Sequence, residues 1–355
     1  MINKNLILLL LLVIITSCSS VPKERAPSEQ FLQKEDSIEF NGVTDISFQD
    51  FEKIYFGKFI IAAPNYKEFS NFNTYFQLGV LTAAKKYGIT NVIEFENQEN
   101  FDRSDANNNF LIGPLSNELV RKIDGLFLKD RALLLNDADE NFFISLSEKP
   151  QIFALSEHLE KNNTKRIGII SDATNDKFIE REFKRSWFSA ENDAVTIEVG
   201  DGASERIENF LDVSESKLRY EKIDKASFSK LEFVPRSRKD FKEIIIFPQN
   251  PTRLYEIASL VRFNYGLSYE IFSLTSKFDQ LIDKNEISLH EIRLVDHTYE
   301  NKFGYDLSKS RSFSLGFDAM LLSYAIANKI NGDYKGLLSA YNLSSSELIA
   351  RPYIN

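Results

Sequence analysis

Short unbroken apolar runs alternate along this chain with longer segments whose apolar residues recur every three or four positions. The first kind predicts strands buried on both faces, the second helices that cover them. Residues 59–64 (Phe-Ile-Ile-Ala-Ala-Pro) form the first such run, closed by proline. Residues 72–87 put Phe72, Tyr75, Phe76, Gly79, Val80 and Ala83 on one helical face and stop at Gly88. Strands are predicted at 92–95, 109–114 and 131–136, with a helix at 117–123. After a long helix near 149–162 the alternation resumes. Strands fall at 166–171, 195–199, 243–248, 269–274 and 290–296, and helices at 177–189, 203–211, 215–230 and 251–264. A long amphipathic helix is predicted at 313–330. Two successive blocks of this kind predict an α/β protein of two doubly wound lobes. Ligands of such folds bind beyond the carboxyl ends of the strands, here a cleft between the lobes.

The N-terminus reads differently. One positive charge, Lys4, precedes an uninterrupted Leu/Ile/Val run over 6–15. A helix of that length is about 15 Å long, roughly half the bilayer core, which suits a signal peptide rather than a span. Ile15-Thr16-Ser17-Cys18 then matches the bacterial lipobox, whose cysteine is lipidated before cleavage. Cys18 is the only cysteine in the 355 residues, so lipidation accounts for it and no disulfide can form within the chain. One acyl chain binds a membrane only marginally, and the two or three of a bacterial lipoprotein hold it firmly. Residues 1–17 are thus the expected signal peptide. Residues 18–50, polar at their start and carrying Pro22 and Pro27, are the lipidated cysteine and tether, and 51–355 the body. Ser19, rather than aspartate, follows the cysteine and favours the outer membrane, with the body facing the periplasm.

Composition narrows the function classes. The formal net charge is −9, and loss of Lys4 with the signal makes it one unit more negative. That excess of acid argues against nucleic acid and against broad adhesion to anionic lipid. With 43% apolar residues the body can bury a sizeable core, and no second apolar segment approaches membrane-spanning length. Gly200-Asp201-Gly202 lies between a predicted strand and helix, but Glu205 stands where a dinucleotide fingerprint needs its third glycine. A tight turn is the expected role. His290 and His297, with Glu291 and Asp296, lack the spacing of a helical metal site. There is no Gly-x-Ser-x-Gly elbow and no phosphate loop. No catalytic residue, metal or cofactor is therefore expected, and the chain does not read as an enzyme.

One stretch stands out. Arg236, Arg238 and Lys239 crowd directly before the apolar strand at 243–248. They are either a solvated strand entry or a contact for an anion or partner at the cleft rim. The stretch Pro235-Arg236-Ser237-Arg238-Lys239-Asp240-Phe241, its strand, and the helix ending Phe263-Asn264-Tyr265 resemble the C-terminal domain of the penicillin-binding-protein activator lipoproteins, LpoA. Ile112-Gly113-Pro114-Leu115, Leu134-Leu135-Asn136, the stretch from Tyr269 to Thr275, Leu315-Gly316-Phe317-Asp318-Ala319 and a closing segment from Lys335 to Arg351 agree in order. The resemblance covers about 57–355. It implies the type I periplasmic-binding-protein fold, with lobe one at about 51–148 and 268–329 and lobe two at about 149–267 and 330–355. It also implies stimulation of a bifunctional penicillin-binding protein, a peptidoglycan synthase, from the outer membrane. The well-studied members carry a large helical-repeat domain before this one. Here about 30 residues of tether, spanning roughly 30 Å when relaxed and about 100 Å when stretched, precede the body. A rival reading is a lipid-tethered receptor for an amino acid or similar anion, for which Ser116 and Asn136 are the cleft candidates. A structural envelope protein is the third.

Overall fold

A computed structural model of the chain describes residues 54–64, 66–100, 108–173, 177–188, 191–229, 232–275, 282–296 and 306–354. Cys18, the signal and tether segments and His297 lie outside the described residues.

The first sheet is parallel. Its strands are β1 (Phe59–Ala63), β2 (Ile93–Asn97), β3 (Phe110–Ile112), β4 (Ala132–Leu134) and β5 (Phe142–Phe143), in the order β2-β1-β3-β4-β5. Every residue of β1, β3 and β4 is buried, as their unbroken apolar runs require. Helix α1 (Ser70–Lys86) covers one face together with a C-terminal helix, α9 (Leu307–Ala327). These two helices touch backbone to backbone. A Cβ on Gly79 would lie 2.0 Å from the Phe313 carbonyl oxygen, and one on Gly316 would lie 2.0 Å from that of Phe76. Only glycine admits that approach. α9 differs from its predicted amphipathic character. Its residues from Ser310 to Ala327 are buried on every side, because α1, the first sheet and the C-terminal strands enclose it.

The second sheet has eight strands in the order β11-β12-β13-β10-β9-β8-β6-β7. Here β6 is Arg166–Asp172, β7 Asp193–Val199, β8 Glu243–Phe247, β9 Glu270–Leu274 and β10 Ile292–Asp296. These five run parallel. Helix α3 (Glu148–Lys161) opens this block, after the short α2 (Asn117–Ile123) of the first. α4 (Phe178–Trp187), α5 (Ala203–Phe210), α6 (Val213–Ala226), α7 (Pro251–Phe263) and α8 (Lys284–Leu289) follow. Two apolar clusters line the two faces of this sheet. The last strands, β11 (Gly332–Lys335), β12 (Ser339–Leu343) and β13 (Leu348–Ile354), form an antiparallel meander whose end pairs with β10.

The expected lobe boundary needs correction. Residues 268–329 do not all return to lobe one, because β9 pairs with β8 and β10 with β9 in the second sheet. The return comes after β10, with α9. The meander joins both lobes: its hydrogen bonds reach β10, while Tyr334, Leu337, Leu338 and Tyr341 enter the core of the first. No helix among the described residues is long and apolar enough to cross a membrane.

Candidate functional site

The carboxyl edge of the first sheet is assembled by side chains that grip loop backbone. Buried Gln98, just past β2, accepts the Leu115 and Ser116 amides at 3.2 Å each. Asn136, just past β4, donates to the Leu115 carbonyl at 2.8 Å and accepts the Asp137 amide at 2.9 Å. The two cleft candidates are thus brought together around Leu115. Asn136 is engaged at both ends of its amide and works as a loop clamp. Ser116 is half-buried at the start of α2, and its hydroxyl makes no cap bond.

The second carboxyl edge is closed in the same manner. Ser171, near the end of β6, donates to Glu180 of α4 at 2.6 Å, and Lys184 holds the other Glu180 oxygen. Arg253 of α7 meets Asp172 at 3.2 Å, Glu256 at 2.8 Å and the Gly200 carbonyl at 3.4 Å. Hydrogen bonding to Glu256 and the charge of Asp172 hold its guanidinium firmly protonated against the opposing effect of burial. Gly202 sits at φ +73° as the N-cap of α5, so the Gly200–Gly202 segment is a tight strand–helix turn.

Where the lobes join, a buried polar network links four elements. Gln151 of α3 and Thr275 past β9 exchange hydrogen bonds at 3.1 and 3.3 Å. Arg311 of α9 donates to the Thr275 carbonyl at 2.6 Å and hydroxyl at 2.7 Å and approaches Asp296 of β10 at 3.4 Å. All four side chains are buried. Sequence reasoning missed this joint, because Gln, Thr, Asp and Arg scattered over 151–311 carry no local pattern.

The basic stretch separates into two kinds of residue. Arg238 forms a bidentate pair with Asp240 at 2.7 Å for both bonds, donates to the Phe210 carbonyl at 3.2 Å and lies over the Phe241 ring at 5.2 Å. Hydrogen bonding to Arg238 holds the Asp240 carboxyl below its ordinary range. Arg238, one of the three candidate partner or anion contacts, is thus engaged as an internal brace. Arg236 and Lys239 are exposed. Among the described residues, only the Arg236 amide of the two is engaged, by Ser216 at 3.1 Å. Tyr220 and Phe233, the latter three residues before Arg236, stack at 4.2 Å, and Val234 next to it in the chain is exposed. The sequence contained this aromatic component, but its halves lie on α6 and on the strand entry.

No three His, Cys, Asp or Glu side chains converge among the described residues. His290 instead meets Glu286 at 3.4 Å, and its carbonyl accepts from Arg262.

No family model matches the chain, and no curated protein matches it in sequence. Solved structures do match. The C-domain of LpoA from Haemophilus influenzae, described as a regulator of PBP1A, superposes with a TM-score of 0.57 at 13% identity, over 84% of this chain and 96% of that one. Full-length LpoA from the same organism gives 0.56 at 13% identity over 86% of this chain, which spans 60% of that longer protein. A protein described as a branched-chain amino acid ABC transporter from Chromobacterium violaceum gives 0.56 at 11% identity, over 84% and 99%. At these identities the likeness shows the fold, which is the type I periplasmic-binding-protein fold expected from the sequence.

Proposed function

We propose that this chain is a non-enzymatic lipoprotein of the outer membrane that is anchored through Cys18 and faces the periplasm. In this reading it binds a bifunctional penicillin-binding protein and stimulates peptidoglycan synthesis. The observation that carries this reading is the state of the cleft edges. Asn136, Glu180, Asp172 and Arg253 are paired with the chain's own groups. A solute receptor needs such groups turned toward a ligand. Arg236 and Lys239, by contrast, stand exposed, and the Arg236 amide bonds Ser216 on α6 one turn from the Tyr220–Phe233 stack, a combination that suits a protein interface. The choice of partner is supported by the likeness to the LpoA C-domain over nearly all of that domain.

A lipid-tethered receptor for an amino acid or similar small anion is the second reading. The equal likeness to the Chromobacterium protein and the uncapped hydroxyl of Ser116 favour it. Thermal melting distinguishes the two. A ligand at a hundredfold excess over Kd stabilises its receptor by about 2.7 kcal/mol. The expected result is no shift with any of the common amino acids. The same protein should retain a purified bifunctional synthase on a column, less so after Arg236→Glu with Lys239→Glu. An amino acid that shifts the melt, together with no retention, would transfer the function to the receptor reading.

A further inference from the structure

An open groove of about 430 Å³ lies between the two sheets, walled by β5 on one side and by the start of β13 on the other. Its volume falls within the roughly 300–1,000 Å³ of ligand sites. β5 is the edge of the first sheet, paired only with β4. The Ile144 amide donates to the Leu134 carbonyl at 3.0 Å, so Ile144 turns its backbone toward β4. Successive residues of a strand turn to opposite sides, so Phe143 presents its N–H and C=O outward. Neither has a partner among the described residues.

The facing wall has the same property. Gly336 N–H donates to Ser339 C=O at 2.9 Å, which sets the alternation along β12. Ala340 and Asn342 then bond to their partners Arg351 and Ile349, and Leu348 and Ala350 turn their backbones away from β12. Between these walls the lining is mostly apolar, with Phe143, Leu348 and the exposed ring of Phe153 contributing.

The charges at the rim define what fits. Lys149 is held by Asp137 at 2.7 Å, and Lys129 donates to the Ser346 carbonyl at 3.2 Å, bridging the walls. Asp139 and Glu347 are exposed and make no ion pair among the described residues. Lys129 keeps its charge, because a carbonyl does not neutralise it, so the lining sets three carboxylates (Asp137, Asp139, Glu347) against two ammonium groups (Lys129, Lys149), and this excess of one negative charge favours a basic group.

We propose that this groove docks an extended peptide segment of a partner protein, which adds as a strand to the open edge of β5. The segment carries apolar side chains at alternate positions and a lysine or arginine at one end. An unpaired strand edge is a template for such addition: main-chain bonds supply affinity and pockets for alternate side chains supply selectivity. The docking chemistry is the same whichever envelope protein supplies the segment.

The probe is a random peptide display library panned on the full chain in detergent, with selected peptides synthesised and titrated. Alternating apolar residues and a basic end should emerge. Phe143→Pro removes the outward N–H without touching a ladder bond, and should weaken binding at least tenfold. Phe143→Leu, which keeps the N–H, should stay within about threefold. Ala350→Trp, on the opposite wall, should weaken binding at least tenfold and stands in for the proline variant if that fails to fold. Bound peptide should also slow exchange of the Phe143 amide. Peptides that bind both variants as tightly as the parent, peptides that bind as helices, or a library that selects nothing above a folded control would each overturn the proposal.

Discussion

Removing the carboxylate of Asp318 should destabilise the protein more than most single changes. Asp318 sits in the middle of α9 with no exposure to solvent. It accepts the Leu337 and Leu338 amides at 2.7 Å each and the Tyr341 hydroxyl at 2.9 Å, with the Ser339 amide further off at 3.4 Å. It thereby holds the β11–β12 turn against the first-lobe core. The fit is tight enough that a Cβ on Gly336 would lie 2.3 Å from the carboxylate. Asp318→Ala leaves three close donors buried without an acceptor, at about 1–3 kcal/mol each. Partial relaxation brings the expected loss to about 3–6 kcal/mol. With unfolding entropy near 2.1 cal/mol/K per residue over roughly 300 ordered residues, Tm should fall by about 5–10 °C. Calorimetry or a circular-dichroism melt reads this directly. A fall below about 2 °C would refute the reasoning, since the turn would then not depend on the carboxylate. The same site has a pH signature. Burial pushes the Asp318 carboxyl up to about 7 despite its four donors. Between about pH 4 and pH 7 the folded state then holds a proton that the unfolded state has released. Stability should therefore fall as pH rises through that window, by up to about 4 kcal/mol from this group. Asp318→Asn cannot titrate and should flatten that slope; an unchanged slope would assign it to other groups.

The basic stretch should divide by function. Arg238→Ala, which strips the Phe210 carbonyl of its donor and leaves Asp240 with Arg166 at 3.0 Å, should cost about 1–3 kcal/mol in a urea melt. Arg236→Glu with Lys239→Glu should change stability by under about 0.5 kcal/mol; the reverse order would exchange their roles. Arg311→Met removes the buried guanidinium that joins the Thr275 carbonyl and hydroxyl to Asp296 and should cost about 3–5 kcal/mol, checked by denaturant titration. Cys18→Ala should release the protein from the membrane fraction or stall its processing. Normal fractionation of that variant would contradict the lipoprotein reading.

The fold was largely legible because strands buried on both faces announce themselves. The runs behind β1, β4 and β8 need no partner to be recognised. Which sheet a strand joins is a different matter. β9 and β10 look alike in sequence whichever lobe they enter, and only pairing with β8 places them in the second. β5 spans Phe142–Phe143 alone, too short for any period to show, and α8 buries none of its residues. At the site, Arg236 and Arg238 are chemically equivalent on paper. Asp240 two residues on and the Phe210 carbonyl from α5 separate them, and the second arrives only with the tertiary fold. Asn136 lies at a strand end, as a cleft residue should, yet the Leu115 loop claims its amide.

We propose stimulation of a synthase by a protein with no turnover of its own. The direct measurement adds the purified protein to a purified bifunctional penicillin-binding protein and follows glycan polymerisation and crosslinking from lipid-linked precursor. The expected result is a faster synthase, reduced stimulation after Arg236→Glu with Lys239→Glu, and no reaction when the synthase is omitted. A synthase rate unchanged at saturating protein, or precursor turnover by this protein alone, would contradict the proposal.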